Sequence, residues 1–139
     1  MQVRDVMTKG AECVRPANSL QEAAQRMKSL DVGPLPVCDN DRLVGLITDR
    51  DIAVRAVAEG CDPRTTTVQN VMTPDVLYCF EEQDVEEAAQ LMCEHQVRRL
   101  VVLNHDKRLV GIVSLGDLAV DAGDEKLARM TLEQVSLPT

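Results

Sequence analysis

The sequence predicts a mixed α/β fold, α+β in arrangement, built as two pseudo-symmetric repeats, each a short sheet packed on two helices. Three observations carry this. The chain repeats itself at a nearly constant spacing, and each copy reads helix, strand, strand, helix. With 139 residues, 45% hydrophobic and 27% charged, it has the size and make-up of one ordinary globular domain.

The repeat spans almost the whole chain. "VRDVMT" (residues 3–8) returns as "VQNVMT" (68–73), and "SLQEAAQRM" (19–27) returns as "DVEEAAQLM" (84–92), both 65 residues on. "DVGPLPV" (31–37) falls on "QVRRLVV" (96–102) at the same offset, and "RLVGLITDRDIAV" (42–54) matches "RLVGIVSLGDLAV" (108–120) at 66. The expected boundaries are 1–62 for repeat 1, 63–121 for repeat 2 and 122–139 for a C-terminal helical tail. A unit this small buries too little surface to be robust alone. The two halves are therefore expected to pack on each other with pseudo-twofold symmetry, leaving a cleft between them as the natural place for a ligand.

Each element follows from local signals. Ser19 and Asp84 are N-cap types, with Glu22 and Glu87 three residues later, the pattern of a capping box. Leu20, Ala23, Ala24 and Met27, and again Val85, Ala88, Ala89 and Met92, recur at i, i+3, i+4 and i+7, one face of a helix. The β-branched runs "LPVCD" and "LVVLN" follow, then the turn formers Asp39-Asn40-Asp41 and Asn104-His105-Asp106. "RLVGLIT" and "RLVGIVS" complete two antiparallel hairpins. A second helix is expected from Asp51 to about residue 59, closed by Gly60, and from Asp117 to about residue 121, stopping near Gly123. Residues 61–67 read as a linker, and 125–135 as an extra short helix.

Composition removes several function classes. The formal net charge is -8 and the only aromatic residues are Tyr78 and Phe80. A polyanion would be repelled, and stacking platforms for unpaired bases are missing. The acidic run 81–87 reads as a solvated helix start. Five cysteines, an odd number with no C-x-x-C, form neither a disulfide framework nor a zinc pattern, which suits a reducing cytoplasm. No leader or membrane-spanning run is read. "CEHQVRR" matches Cys-x5-Arg formally, but Cys93 falls late in a helix and not on a phosphate-cradling loop. His95 and His105 have no partners at metal-ligand spacing. No metal site and no catalytic constellation is legible, so the chain is not expected to be an enzyme.

One motif remains. "GLITDRD" and "GIVSLGD" each end a strand with Thr/Ser-x-x-Asp: Thr48 with Asp51, and Ser114 with Asp117. Two readings stand side by side. The hydroxyl and the carboxylate three residues on form a helix capping box. The same carboxylate can also accept hydrogen bonds from a vicinal diol, as the acidic residue of dinucleotide folds does. A cap can serve the backbone while the site is empty, so the readings are compatible. Gly45 and Gly111 would permit close backbone approach.

Taken together, the twin "VMT", the "EAAQxM" helices, the paired "RLVG" strands and the tandem order resemble a pair of cystathionine-β-synthase (CBS) domains, a Bateman module, over about residues 1–121. The resemblance implies an adenosine ligand (AMP, ADP or ATP, with S-adenosylmethionine or NAD less favoured) between the repeats, a regulatory role toward a partner protein, and a homodimer. It places Asp51 and Asp117 on ribose hydroxyls and Thr48 and Ser114 beside ribose or phosphate. The segments before the first strands, Gly33 and Pro34 in one copy and Arg98 and Arg99 in the other, fall near adenine and phosphate. Val14 (beside Cys13), Leu77 and Tyr78 fall near the base. Arg98 and Arg99 are read as opening a strand, on opposite faces, with at least one reaching a phosphate. Arg50 is a further phosphate candidate; copy two has Gly116 there, so the two sites are expected to differ. The competing expectation is a ligand-independent dimerisation or protein-interaction module.

Overall fold

The computed structural model describes residues 1–10 and 12–120, together with Arg129 and Glu133. The elements are β1 (Thr8–Lys9), α1 (Leu20–Leu30), β2 (Pro34–Asp39), β3 (Arg42–Thr48), α2 (Asp49–Asp51, continued by a π-helical segment Ile52–Val57), β4 (Tyr78–Phe80), α3 (Val85–His95), β5 (Arg99–Leu103), β6 (Leu109–Ser114) and α4 (Leu115–Val120). The mixed α+β class and the helix–strand–strand–helix order of each repeat are as the sequence predicts. The expected tail 122–139 lies outside the described residues apart from Arg129 and Glu133, both helical and exposed.

The compact units are not the sequence repeats. One unit is Glu12–Val76; the other takes Met1–Ala11 together with the chain from Leu77 onward. The repeat boundary expected near residue 62 is a boundary in sequence, and the compact units divide the chain differently: each unit is closed by the opening segment of the other repeat. The exchange is reciprocal, residue for residue. Gln2 bridges Asp84 while its counterpart Thr67 bridges Ser19. Val3 N–H bonds Gln83 O at 2.8 Å, and Val68 N–H bonds Asn18 O at 2.8 Å. Thr8 pairs with Ile112 on β6, and Thr73 pairs with Leu46 on β3. The 61–67 stretch is consequently more than a linker: Leu20 N–H donates to Thr66 O and Gln21 N–H to Pro63 O, both at 3.0 Å.

Both units use one sheet order. In the Leu77 unit the order is β1-β6-β5-β4, with β4 parallel to β5 and β6 antiparallel to both neighbours. In the other unit the β2-β3 hairpin is flanked by single bridges, Leu46–Thr73 antiparallel and Val14–Val37 parallel. The two edges match β1 and β4 but are too short to count as strands. The hairpins share an irregularity, at Val37/Cys38 and at Val102/Leu103. The first turns through Asn40 and Asp41, both at positive φ, which short polar residues tolerate.

The cores are aliphatic, as a chain with two aromatic residues requires. α1 buries Leu20, Ala23 and Met27 with Val14, Leu35, Val37, Ile47, Ala56, Val68 and Val71. α3 buries Val85, Ala88, Ala89 and Met92 with Val102, Val113 and Leu118. The expected stripe on α1 is one residue narrower than read, because Ala24 is exposed. The cap of α1 also departs from a full box. Ser19 Oγ accepts from Glu22 N–H at 3.1 Å, but the Glu22 carboxylate takes the Ser19 hydroxyl and the Asn18 amide instead of a cap backbone N–H. Glu87 does reach back to Asp84 N–H, at 3.4 Å. α1 and α3 end alike, with Asp31 and Gln96 in the left-handed region at φ 55 and 51.

Candidate functional site

Both Thr/Ser-x-x-Asp motifs are formed in full. Thr48 N–H donates to Asp51 Oδ2 and Asp51 N–H to Thr48 Oγ1, each at 3.0 Å. Ser114 N–H donates to Asp117 Oδ2 at 2.8 Å and Asp117 N–H to Ser114 Oγ at 3.1 Å. The helices therefore begin just after the hydroxyl residue, at Asp49 and Leu115, two residues before the expected starts at Asp51 and Asp117. In each box one carboxylate oxygen is committed to the backbone and the other, Oδ1, is not. Each hydroxyl oxygen accepts, which leaves its hydrogen free to donate. All four side chains are half-buried.

The segment before the first strand is held against the same helix start in both units. Asp49 N–H donates to Gly33 O at 3.1 Å, and Leu115 N–H to Arg98 O at 2.9 Å. Pro34 stands opposite Thr48, and Arg99 opposite Ser114. The Glu12–Val76 unit thus brings together Gly33, Pro34, Thr48, Arg50 and Asp51, and the Leu77 unit brings together Arg98, Arg99, Ser114 and Asp117. Arg98 does not open a strand as expected; β5 starts at Arg99, because the Arg98 carbonyl turns to α4. Both arginines are exposed, and neither guanidinium makes a hydrogen bond or ion pair among the described residues. The two units carry unlike charges here: Gly33 and Asp49 stand where Arg98 and Leu115 stand. A Cβ on Gly33 would lie 3.1 Å from Asp49 Oδ1.

The base-side candidates divide. Tyr78 is 38% exposed at the head of β4, edge-on to Phe80 with ring centroids 5.6 Å apart, and Leu77 before it is half-buried. Val14 lies deeper than the other base-side candidates. Its side chain is 4% exposed in the core, and both its backbone groups bond β2, N–H to Pro36 O at 3.0 Å and C=O from Cys38 N–H at 2.9 Å. Its N–H is spent on β2 and its carbonyl keeps one lone pair; the neighbouring Cys13 is half-buried and more accessible.

Arg55 was not singled out from the sequence. Its Nε lies 3.9 Å from Asp51 Oδ1, and its Nη1 donates to Val71 O at 3.1 Å. The i,i+4 spacing of Asp51 and Arg55 was readable; the reach to a carbonyl 16 residues on was not. Burial pushes the Cys79 thiol up to about 12. Cys38 is also raised to about 12, by burial first, then by Cys13 beside it and the Asp41 carboxylate. These are poor nucleophiles. His95 ends α3 and His105 sits in the β5–β6 turn, 3.6 Å from Glu82 and from Asp106. Among the described residues no three His, Cys, Asp or Glu side chains are grouped to hold a metal ion, and no helix is long and apolar enough to cross a membrane.

Two units of one architecture, each with a hydroxyl–carboxylate box at the end of its central hairpin, define a tandem-repeat α+β module. A family model described as CBS domain matches residues 3–57 and 68–120, and the chain belongs to that family. The chain is 42% identical over 134 residues to CBS domain-containing protein YhcV of Bacillus subtilis, covering 96% of this chain and 94% of that one. A crystal structure of Hypoxic Response Protein I with two coordinated zinc ions is similar at TM-score 0.77 and 42% identity, over 86% of this chain and 97% of that one. CBSX2 in complex with AMP is similar at TM-score 0.75 and 29% identity, over 90% and 98%. The CBS domain pair of MJ0100, in complex with 5'-methylthioadenosine and S-adenosyl-L-methionine, is similar at TM-score 0.77 and 28% identity, over 90% and 98%.

Proposed function

We propose that this CBS pair is a regulatory, non-catalytic module that binds an adenosine ligand through its Thr/Ser-x-x-Asp boxes and passes the bound state to a partner protein. The observation that carries the reading is the convergence of each box with the strand-opening segment of its own repeat, Gly33–Pro34 on Thr48–Asp51 and Arg98–Arg99 on Ser114–Asp117. The Oδ1 of Asp51 or Asp117, which holds no backbone N–H, accepts from the ribose diol. The free hydroxyl hydrogen of Thr48 or Ser114 donates to ribose or phosphate oxygen. Arg98 and Arg99, exposed and without partners among the described residues, give the Leu77 unit a cationic edge for phosphate, so AMP, ADP or ATP is placed there first. The adenosine ligands in the CBSX2 and MJ0100 structures support this class of ligand. Five free cysteines support a reducing, cytoplasmic setting, and a net charge of -8 argues against nucleic acid as a partner.

A melting screen tests the proposal. AMP, ADP, ATP, S-adenosylmethionine, 5'-methylthioadenosine and NAD are each added at a large excess, with guanosine monophosphate as control. Saturable stabilisation by an adenosine ligand of about 2–3 kcal/mol at one hundred times its Kd is expected. No shift with any of them would reject the reading.

A second reading has its own observation. Val54 and Val57 are 50% and 63% exposed on the segment that follows Asp51, three residues apart, and present an apolar face suited to self-association. On that reading the module dimerises whether or not ligand is present.

A further inference from the structure

The Asp51 box differs from the Asp117 box in one respect that bears on how occupancy is transmitted. Asp51 Oδ1, the oxygen left to a ligand, already faces a cation: Arg55 Nε lies 3.9 Å away. The same guanidinium donates through Nη1 to Val71 O at 3.1 Å. Val71 closes the short 3-10 turn Val68–Asn70. Two residues further, Thr73 exchanges two backbone hydrogen bonds with Leu46 on β3, at 2.8 and 2.9 Å. The chain then runs through Pro74–Val76 into Leu77 and Tyr78, where the other unit begins, so one side chain spans the carboxylate and the root of the segment that leaves the Glu12–Val76 unit. The residue four beyond Asp117 is Asp121, a carboxylate, so the second box cannot make this pair.

We propose that Arg55 is a positioning residue that couples occupancy of the Asp51 box to the segment Val68–Thr73. The proposal rests on the adenosine-ligand reading and deepens it by assigning the route of the signal. Arg55 donates to the Val71 carbonyl and stands 3.9 Å from the Asp51 carboxylate, an ion pair and not a hydrogen bond. A diol donating two hydrogen bonds to Asp51 Oδ1 disperses the charge that faces Arg55 and occupies its approach. The guanidinium then shifts off the Val71 carbonyl, and the turn loses the side chain that braces it. Binding and bracing compete for one carboxylate, which supplies the differential interaction that any ligand-driven change needs. Linkage makes the effect reciprocal, so removing the brace should not weaken the ligand.

The test is amide hydrogen exchange on the full chain, wild type and Arg55→Met, each with and without AMP and, separately, 5'-methylthioadenosine, with affinities from calorimetry. In the wild type, ligand is expected to speed exchange at residues 71–73 and at Leu46 by about fivefold or more. In Arg55→Met those amides exchange fast from the outset and ligand adds nothing, while affinity stays equal or rises. Arg55→Lys, which keeps the charge, restores part of the ligand response. An unchanged ligand response in Arg55→Met, or binding to the wild type with no change at 71–73, overturns the coupling and leaves the ligand reading intact. A loss of affinity of about tenfold or more in Arg55→Met makes Arg55 a ligand contact and overturns it as well. If neither ligand binds the wild type, both the adenosine reading and the coupling fall.

Discussion

Gly111→Ala should destabilise the protein more than Gly45→Ala, although the two positions are equivalent in the repeat. Each glycine faces a "VMT" segment docked from the other repeat. A Cβ on Gly111 would lie 2.6 Å from the backbone oxygen of Thr8 and 2.9 Å from Met7 Sδ. A Cβ on Gly45 would lie 2.6 Å from Met72 Sδ but 3.0 Å from the Thr73 oxygen. A methionine sulfur can move aside at small cost. A strand oxygen moves only with its strand, and β1 is held by two register pairs, Thr8–Ile112 and Lys9–Gly111. Overpacking costs about 1–3 kcal/mol, and weakening one or two backbone bonds adds about 1 kcal/mol each. The expected losses are therefore about 3 kcal/mol for Gly111→Ala and about 1–2 kcal/mol for Gly45→Ala. Urea unfolding followed by circular dichroism measures both, with amide exchange at Gly10, whose N–H bonds Val110 O at 3.3 Å, reporting on β1. A Gly111→Ala protein within about 0.5 kcal/mol of wild type, the range of neutral surface changes, or a reversed order, would refute the docking of β1 on β6.

Further outcomes follow from the same geometry. Arg98→Ala with Arg99→Ala should weaken AMP about ten- to a hundredfold in calorimetry, the scale of lost charge-assisted hydrogen bonds, and leave adenosine unchanged; equal losses for both ligands would remove the phosphate role. Because burial raises the Cys79 thiol from its ordinary 9.0 to about 12, the folded state keeps a proton that the unfolded chain gives up near 9.0. This contribution to stability is full below pH 9.0 and is lost as pH rises toward 12. Native-state alkylation at pH 8 read by mass spectrometry should accordingly spare Cys79 and modify it only after denaturation. Val54→Glu with Val57→Glu should leave the monomer's fold intact and, if that face carries self-association, shift sedimentation to a monomer at concentrations where the wild type is larger.

Much of the fold was legible because it is written twice. A helical stripe read once can be misjudged; Leu20, Ala23 and Met27 repeated as Val85, Ala88 and Met92 are hard to misread. The boxes at Thr48 and Ser114 were legible for a local reason, since hydroxyl and carboxylate lie within one helical turn. The pairing of Gln2 with Asp84 and of Thr8 with Ile112 was not legible. Equivalent partners exist in both repeats, and which copy a segment docks on is a non-local choice that periodicity does not encode. The burial of Val14 was not legible for a related reason: it packs in a cluster with residues as distant in sequence as Val68 and Val71. Arg98 fell outside β5 because its carbonyl is spent on Leu115, a contact across the hairpin that sequence spacing does not reveal. Arg55 was passed over because Val71, its second partner, belongs to the following repeat in sequence.

The central claim is that the two carboxylates of the boxes hold an adenosine ligand. Calorimetric titration of AMP and 5'-methylthioadenosine into the wild type and into Asp51→Asn with Asp117→Asn addresses it directly. The amide keeps the volume and one acceptor but loses the charge that receives the diol. Saturable heats in the wild type, weakened about a hundredfold or abolished in the double variant, are the predicted result. Equal affinity in both proteins, or no binding to the wild type by either ligand, would contradict it.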